Sequence, residues 1–518
     1  MNLENHKGVM MRKCTWIAVN SALLLFGVAL AGQGQVISTN IERQPPVIIN
    51  VHEAGVPFPH YWETMFGSGR AHLVMRAQYQ SDLSSVKKIT DFKYVRFHGI
   101  LDDENGVYSL NSKGDPIYNW TYVDHIYDAL LAKGIRPYVE ISFMPDDLAS
   151  KPIYQSFWYK PNVSPPASYA RWNALIQAFA RHLIKRYGIN EVSQWYFEVW
   201  NEPNIGFWAG RPAQSSYFKL YDNTAEALKA VSSRLRVGGP ATAQAAWIPA
   251  FINHTTKDHI PLDFVSTHVY GDDTAENVFH DHRSIPPYAM VCYAVKKVHE
   301  EILHSSRPNI PLIWSEFNAS YGNHQAVTDS IFMGPWLANT IRECNGMTQM
   351  MSYWTFSDVF EEQGVPKDPF YGGFGLLAED GIPKPSFDAF ALLHQLGNSL
   401  LPVQAKDVLV TKNRQGKIIL AAWNLVDPGM TGPSKEITFD FKGMPKKTEA
   451  RIERVDATHG DTLAAWKAMG SPNYPTTAQI IALKKASAVG VPQRVTLHDG
   501  KLVILVPPMG LAVVIIGS

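Results

Sequence analysis

The sequence has few cysteines, no excess of either charge and few long apolar runs. Cysteine occurs only three times in 518 residues, which excludes a dense disulfide framework. Neither charge is in excess, because 47 basic side chains balance 47 acidic ones, and this balance argues against a nucleic-acid partner. After the first 35 residues, no apolar run is long enough to span a bilayer. We therefore expect a globular protein with no nucleic-acid partner and, once its first segment is cleaved, no membrane contact.

The first residues have the pattern of an export signal. Arg12-Lys13 precedes a mostly apolar stretch at 15–31, and Ala29-Leu30-Ala31 offers small residues at a cleavage site. We assign residues 1–34 to a signal peptide, with an uncleaved membrane anchor as the alternative. The mature protein is then expected to be secreted or periplasmic.

The remaining cysteines are few and separate. Cys14 leaves with the signal peptide, so the mature chain keeps Cys292 and Cys344. Neither residue lies in a metal-ligand or nucleophile motif. One disulfide is an option, but we favour two buried free thiols.

Short apolar runs alternate with segments of helical periodicity from residue 58 to 398. The strand candidates lie near 60–66 and at 94–97, 137–141, 195–200, 236–239, 264–267, 311–314 and 351–354. Segments of helical length lie between them, at 120–133, 168–187, 214–232, 286–305 and 327–344. Eight strand–helix repeats predict the α/β class, as a (β/α)8 TIM barrel with insertions.

The sequence pattern changes after residue 398. Short β runs separated by Gly, Pro, Asp and Lys turns predict an antiparallel β-sandwich accessory domain over 399–518. Residues 35–57 are extended and rich in proline, and they are a candidate for one more strand of that sandwich. The expected order is thus signal peptide, extended segment, barrel and sandwich.

Two carboxylates lie at or just after the C-terminal ends of predicted strands. Glu202 follows the fourth strand candidate, and Glu316 lies at the end of the seventh. The active site of a TIM barrel lies at the C-terminal ends of its strands, and strands four and seven face each other across it. Glycoside hydrolysis uses such a pair, one carboxyl protonated to deliver a proton and the other ionised to attack. Glu202 lies among aromatic residues, whereas Ser315 and Asn318 could keep Glu316 ionised.

The segment 195–204, Trp-Tyr-Phe-Glu-Val-Trp-Asn-Glu-Pro-Asn, resembles the signature of glycoside hydrolase family 39, which contains β-xylosidases and α-L-iduronidases. Further blocks resemble the family in the same order: 67–70, 94–99, 141–145, 238–241, 264–268, 314–318, 358–362 and 372–375. The resemblance spans about residues 58–395. Asn-Glu-Pro alone is moderately specific, but the ordered blocks together are a strong indication.

The resemblance implies a role for each matching residue. Glu202 is expected as the acid/base and Glu316 as the nucleophile. Asn201 would bind the sugar 2-hydroxyl, and Trp354 would stack under the sugar ring. The other implied substrate-binding residues are His268 and Tyr270 beside the nucleophile, His60, His98 and Glu361 in the glycone pocket, and Phe143 as a wall.

Some roles stay open. His60 and His98 could instead be core histidines, and Glu362 is either a pocket residue or a solvated neighbour of Glu361. The His280-Asp281-His282 spacing resembles a metal motif, but it lies in a loop and lacks the strand context that such motifs need, so it is weak evidence for a metal site. No metal and no cofactor are expected.

The expected function is a secreted, retaining, exo-acting β-xylosidase, whose partner is an oligosaccharide or glycoside substrate. The segment 142–166 resembles the xylosidase branch more than iduronidases. An iduronate carboxylate would need Arg or Lys in the pocket, and the expected pocket loops carry acids and aromatics, with Lys367 and Arg283 left open. The alternatives are a β-glucosidase, β-galactosidase, α-L-arabinosidase, α-L-iduronidase or endo-acting hydrolase, and a non-catalytic carbohydrate-binding protein. Whether the chain forms a homo-oligomer stays open.

Overall fold

The structure is a computed structural model that describes residues 40–517. The predicted signal peptide at 1–34 and the first part of the segment 35–57 lie outside the described residues. Across the described range, no helix has both the length and the apolar character that crossing a membrane requires. The described chain opens with the short strands β1 (Ile41–Arg43), β2 (Val47–Asn50) and β3 (Val56–Pro57).

A closed parallel barrel forms the centre of the molecule. The next strands along the chain are β4 (Met65–Gly67), β5 (Tyr94–Phe97), β6 (Tyr108–Leu110), β7 (Pro116–Tyr118), β8 (Arg136–Ile141), β9 (Tyr196–Val199), β10 (Arg236–Thr242), β11 (Phe264–Tyr270), β12 (Leu312–Asn318) and β13 (Met350–Tyr353). All but β6 and β7 belong to the barrel, and those two form a hairpin in the loop after β5. Every residue of β9, β11 and β12 is buried, as expected for strands covered on both faces. The predicted (β/α)8 barrel is confirmed.

Helices surround the barrel. They are α1 (Ala77–Ile89), α2 (Thr121–Leu131), α3 (Tyr169–Tyr187), α4 (Ile189–Val192), α5 (Ala213–Val231), α6 (Ile248–Lys257), α7 (Ala275–Phe279), α8 (Pro287–Leu303), α9 (Gln325–Thr328), α10 (Met333–Glu343) and α11 (Pro385–Leu393). Their ends follow from local chemistry. At the start of α3, the Ser168 side chain accepts a hydrogen bond from the Arg171 backbone N–H, and Gly188 ends the helix with φ 81°. Among them α2, α5 and α8 pack directly against barrel strands, and α3 packs against α5.

The C-terminal part is a β-sandwich with two added helices. Its elements, preceded by a hairpin of β14 (Leu377–Ala378) and β15 (Ile382–Pro383), are β16 (Ser399–Leu400), β17 (Val408–Lys412), β18 (Ile418–Trp423), β19 (Ser434–Lys442), β20 (Glu449–Val455), α12 (Thr462–Ala468), α13 (Thr477–Ala486), β21 (Gln493–Thr496), β22 (Lys501–Val506) and β23 (Leu511–Ile516). The larger sheet has the order β21-β20-β23-β18-β17-β16-β3. Buried and exposed residues alternate along β22, as in a sheet with one wet face. The predicted fold class is confirmed, while α12 and α13 were not predicted.

The two added helices pack against the last loop of the barrel. Leu463 and Trp466 of α12 and Leu483 of α13 form one buried cluster with Phe370 and Ile382 of the segment between β13 and α11. The accessory domain therefore braces a loop that reaches the active-site end of the barrel.

The extended N-terminal segment belongs to the sandwich. β1 and β2 both pair in parallel with β19, and β3 pairs with β16 at the edge of the larger sheet. Chain segments from both ends of the described range thus complete one domain.

The free-thiol prediction was wrong, because Cys292 and Cys344 form a disulfide. Cys292 lies in α8 and Cys344 directly follows α10. These helices are in contact in the outer ring, which brings the two residues to a Cα–Cα distance of 5.1 Å despite 52 residues of separation. Sequence spacing alone does not reveal that proximity.

Candidate active site

A cavity of about 420 Å³ opens at the C-terminal ends of the barrel strands. Strand ends and the loops that follow them supply its walls, as in other TIM barrels. Six of the residues predicted from sequence line this cavity: His98, Asn201, Glu202, Tyr270, Glu316 and Trp354. The barrel therefore brings together side chains that are spread over about half of the sequence.

The two carboxylates face each other across this cavity. Glu316 lies within β12, whereas Glu202 lies three residues after β9, in a turn where both Trp200 (φ 72°) and Glu202 (φ 42°) are left-handed. The Glu202 backbone N–H donates to the Ala241 carbonyl oxygen at 2.8 Å, which fixes this turn against the next strand. Carboxylate oxygens of Glu202 and Glu316 and a ring nitrogen of His268 all lie within 4.8 Å of one another.

Glu316 is held by a cation and a phenol. Arg96 Nη1 donates to Glu316 Oε1 at 2.6 Å, and the Tyr270 hydroxyl donates to Glu316 Oε2 at 2.5 Å. The guanidinium of Arg96 is fully buried and also binds Glu198 Oε2 at 2.6 Å and Glu140 Oε2 at 2.7 Å. This fixed network orients the carboxylate and favours its ionised form.

Within residues 40–517, no Lys or Arg side chain forms an ion pair with Glu202. Its Oε1 lies 3.0 Å from His268 Nδ1, and the other ring nitrogen of His268 lies 3.1 Å from Ser315 Oγ. Burial lowers the pKa of His268 well below its usual value, and the charges of Arg96 and His98 lower it further. His268 is therefore neutral, and it can accept a hydrogen bond from a protonated Glu202 or donate one to an ionised Glu202.

Different neighbouring groups act on the pKa values of Glu202 and Glu316. Burial raises the pKa of Glu202 well above its usual value, and the negative charges of Glu316 and Asp273 raise it further. Burial raises the pKa of Glu316 as well, but Arg96, His98 and the Tyr270 hydroxyl oppose that rise. The arrangement thus keeps a proton on Glu202 and a negative charge on Glu316.

The side chains at the other end of the cavity suit a neutral sugar. Asn201 Oδ1 accepts from Arg96 Nη2 at 2.9 Å, which fixes the amide with its NH2 group available to a ligand. The rings of His98 and Trp354 are 4.9 Å apart and tilted by 44°. A Cβ on Gly67 would lie 2.1 Å from the Trp354 ring, so only glycine at that position leaves room for the indole.

The neighbouring Glu140 favours the protonated form of His98. Its Nδ1 lies 2.7 Å from Glu140 Oε2. Burial opposes a charge on the ring, but Glu140 outweighs that effect and raises the pKa of His98. On the cavity side, His98 Nε2 lies 3.6 Å from Glu362 Oε1.

Four predicted residues are not among those that line the cavity: His268, which contacts Glu202 from behind it, and Glu361, Phe143 and His60. Glu361 is buried against Arg70 and Arg76, which bind its carboxylate from outside the pocket. Phe143 is fully buried behind the rings of Phe207 and His98. Both are therefore removed from direct sugar contact.

His60 lies at the other end of the barrel. It precedes β4, and its Nδ1 lies 2.6 Å from Glu63 Oε1, while His394 Nδ1 at the end of α11 lies 2.8 Å from Glu63 Oε2. Because the active-site face is formed by strand C-terminal ends, a residue ahead of the first strand lies on the opposite face. His60 cannot line the glycone pocket.

Several cavity residues were not assigned from the sequence. They are Phe157, Ile205, Phe207, Ala243, Gln244, Asp273, Tyr321, Glu362, Gln363 and Phe374. Glu362, left open above, is a cavity residue in place of Glu361, and burial raises its pKa to about 8. Arg96 carried a detectable signal, because a charged residue inside an apolar strand must have a partner. The loop residues carried no such signal.

Two groups of described side chains have the spacing of a cation site: Glu202, His268 and Glu316, and separately His60, Glu63 and His394. In the first group, a protonated Glu202 is a poor metal ligand, because ligation needs the carboxylate. In the second group, both histidines already hydrogen-bond the single carboxylate of Glu63. The donor atoms in both groups are thus engaged with one another.

Comparison with known proteins adds to this geometry. Residues 46–502 match the profile of the glycosyl hydrolases family 39. A β-xylosidase of Geobacillus stearothermophilus is 38% identical over 451 residues, covering 85% of this chain and 89% of that protein. The solved structure of a GH39 β-xylosidase from Caulobacter crescentus is 33% identical, with a TM-score of 0.80, and covers 92% of this chain and 100% of that one. The GH39 enzyme from Xanthomonas axonopodis pv. citri is 32% identical, with a TM-score of 0.83 and coverage of 94% and 100%. The chain belongs to the glycosyl hydrolases family 39.

Proposed function

We propose that the protein is a retaining β-xylosidase that releases xylose from the non-reducing ends of xylo-oligosaccharides. The observation that carries the retaining mechanism is the spacing of Glu202 and Glu316, whose nearest oxygens lie within 4.8 Å. Retaining glycosidases hold their two carboxyl groups about 5–5.5 Å apart, whereas inverting ones leave about 6.5–9.5 Å for a water molecule. A spacing below 4.8 Å supports direct attack by a side chain and leaves no room for an intervening water molecule.

In the first step, Glu316 attacks the anomeric carbon and forms a glycosyl–enzyme ester. The bond to the glycosidic oxygen breaks at the same time, and Glu202 transfers its proton to that oxygen, so the aglycone leaves as an alcohol. The contact of Arg96 with Glu316 Oε1 keeps the nucleophile ionised and aimed before the attack. The Asn201 amide would bind the 2-hydroxyl, a contact that strengthens in the transition state.

In the second step, water attacks the anomeric carbon. Glu202, now ionised, takes a proton from the water, and the ester bond to Glu316 breaks, releasing xylose with its original configuration. A neutral His268 at 3.0 Å from Glu202 accommodates both protonation states of that carboxyl. Ionisation of Glu202 becomes easier once Glu316 is esterified, because the neighbouring negative charge is gone.

Pocket chemistry and similarity both support a neutral pentose. Among the described residues that line the cavity there is no lysine or arginine, which a carboxylated sugar would require. The relatives from Geobacillus stearothermophilus and Caldicellulosiruptor saccharolyticus are both β-xylosidases, each 38% identical.

Attack from chain ends fits the shape of the cavity. The Trp158 backbone N–H, in the loop after β8, donates to the Glu362 carbonyl oxygen in the loop after β13 at 2.8 Å. This contact joins two loops across the His98 end of the cavity. Loops joined in this way would limit the space beyond the glycone, which supports binding of a terminal sugar and exo action.

A panel of nitrophenyl glycosides tests the proposed substrate. We expect release from the β-xyloside to exceed release from β-glucoside, β-galactoside, α-L-arabinoside and iduronide substrates. No release from the β-xyloside would refute the proposal. Proton NMR during turnover should show β-xylose as the first product, whereas α-xylose would rule out retention.

A non-catalytic sugar-binding protein is the alternative from another class. Glu316→Ala separates the two, since we expect it to lose turnover while sugar binding remains measurable by calorimetry. If the variant is as active as the wild type, the assigned mechanism is wrong.

We also propose that residues 1–34 direct export. The disulfide between Cys292 and Cys344 supports this, because stable disulfides belong mainly to oxidising compartments. Mass spectrometry of the protein recovered outside the cytoplasm should give a mature N-terminus shortly after Ala31. An intact N-terminus on the exported protein would contradict cleavage.

A further inference from the structure

We infer that His60, Glu63 and His394 form a structural Zn²⁺ site at the end of the barrel opposite the active site. One imidazole nitrogen of each histidine and one carboxylate oxygen of Glu63 all lie within 4.8 Å of one another. The inference does not depend on the proposed function, because none of these three residues lines the active-site cavity.

The three side chains come from two distant parts of the sequence. His60 and Glu63 lie in one turn ahead of β4, where the Glu63 backbone N–H donates to the His60 carbonyl oxygen at 3.4 Å. His394 directly follows α11, the last helix of the barrel, 331 residues after Glu63. Phe66 of β4 packs against Phe390 of α11, with ring centroids 5.1 Å apart. The fold thus brings the first strand and the last helix of the barrel together at this site.

Glu63 is a fully buried carboxylate between two imidazoles. His60 Nδ1 lies 2.6 Å from Glu63 Oε1, and His394 Nδ1 lies 2.8 Å from Glu63 Oε2. The His60 ring is held in turn by the Trp62 ring, which stacks on it with centroids 4.5 Å apart. Among residues 40–517, no lysine or arginine forms an ion pair with Glu63. A divalent ion between the three groups would supply positive charge to this buried carboxylate.

Only small movements separate this hydrogen-bonded cluster from metal geometry. Zn²⁺ binds imidazole nitrogen and carboxylate oxygen at about 2.0–2.2 Å, so two ligand atoms on a tetrahedral ion lie about 3.4 Å apart. The nitrogen–oxygen distances of 2.6 and 2.8 Å must therefore lengthen by roughly 0.6–0.8 Å, which side-chain rotation supplies. The ion takes the lone pairs with which the imidazole nitrogens and the carboxylate would otherwise hold protons, and ligation releases those protons to solvent.

The donor atoms select the kind of ion. Two imidazole nitrogens and one carboxylate oxygen suit Zn²⁺, whereas Ca²⁺ and Mg²⁺ take oxygen ligands. Three protein ligands leave the fourth position of a tetrahedral ion to a water molecule. The His394 side chain is 42% exposed, which gives the ion a path from solvent and gives that water a place.

The site lies where the chain passes between the sandwich and the barrel. β3 and β16 pair in the sandwich, and the Phe58 backbone N–H donates to the Asn398 carbonyl oxygen at 2.9 Å. The segment that enters the barrel and the segment that leaves it therefore run side by side. An ion bound by His60 and His394 would join these two segments and stabilise the folded protein by mass action.

Calorimetric titration of the chelator-treated, tag-free protein with ZnCl2 tests the site. We expect one Zn²⁺ per chain and a rise in the midpoint of thermal unfolding when the ion is present. His394→Gln should raise the Kd for Zn²⁺ at least about a hundredfold, because even the loss of a group behind a ligand costs about 10–100-fold. Glutamine still donates a hydrogen bond to Glu63, so this variant separates ion binding from a hydrogen-bonding role. His394→Cys should retain binding, since a thiolate is a Zn²⁺ ligand.

Two control variants locate the ion. His254→Gln changes another histidine that lies between two carboxylates, those of Asp222 and Asp258, and should leave the Kd unchanged. Glu316→Gln should also leave it unchanged, whereas loss of binding in this variant with retention in His394→Gln would place the ion at the catalytic pair and overturn the inference. The absence of Zn²⁺ binding in the wild type, or an equal Kd in His394→Gln, would overturn it as well. Because each readout is binding or unfolding, failure of the proposed function would leave these results unaffected.

Discussion

Replacement of Glu202 by glutamine removes one transferable proton and little else. The amide has nearly the same shape, so it still fits beside His268, and the backbone hydrogen bond from residue 202 to the Ala241 carbonyl oxygen is retained. His268 cannot take over as the acid, because its lowered pKa leaves it neutral. The expected loss is therefore that of general acid catalysis itself.

The size of this loss depends on the leaving group. A positioned general acid contributes about 10²–10⁴-fold, which corresponds to about 3–5 kcal/mol of transition-state stabilisation. Glu202→Gln should lower kcat/KM by that factor for xylobiose, whose leaving alkoxide needs the proton. For β-xylosyl fluoride, which needs little protonation, kcat/KM should fall by less than about tenfold.

Steady-state kinetics at one pH, with both substrates and both proteins, measures this difference. Because the variant also lacks the base of the second step, its glycosyl–enzyme should accumulate, and added azide should speed turnover and yield β-xylosyl azide. Equal losses on the two substrates would refute the acid role of Glu202. An α-configured azide product would refute the two-step mechanism.

Three further outcomes are expected. Asp273→Asn removes a negative charge that raises the pKa of Glu202, so the alkaline limb of the pH profile of kcat/KM should move to lower pH; an unmoved limb contradicts the electrostatic argument. Gly67→Ala places a Cβ 2.1 Å from the Trp354 ring, and the displaced indole should lower kcat/KM about 10²-fold while circular dichroism stays unchanged. Cys292→Ala opens a 52-residue disulfide loop and should lower the free energy of unfolding by about 4 kcal/mol in urea titrations, with thiol-reduced wild type as the comparison.

The barrel and its carboxylate pair were predictable for a physical reason. Parallel strands buried on both faces leave uninterrupted apolar runs, which can be counted along the chain. Counting places Glu202 and Glu316 after the fourth and in the seventh strand, and barrel geometry then brings the strand ends together. The structure has both residues at these positions.

The direction of side chains in the loops could not be predicted from the sequence. Glu361 and Glu362 are neighbours in one loop, yet Glu361 binds Arg76 outside the pocket while Glu362 lines the cavity. No periodicity governs a loop with left-handed residues such as Glu361. His60 was misplaced for a different reason, since its strand was expected near 60–66 and begins at Met65. A strand that begins later puts His60 before it, at the opposite face.

The pairing of β2 with β19 has a consequence for the order of folding. Val47 and Phe439 are partners in one sheet, although roughly 390 residues separate them. At synthesis rates of about 5–20 residues per second, that interval lasts on the order of 20–80 s. During that time the early strand has no partner, and the whole barrel, whose last helix ends at Leu393, is synthesised before β19 appears. The sandwich is thus the last part of the described chain to close, because β2 waits for a partner strand that lies within the last hundred residues.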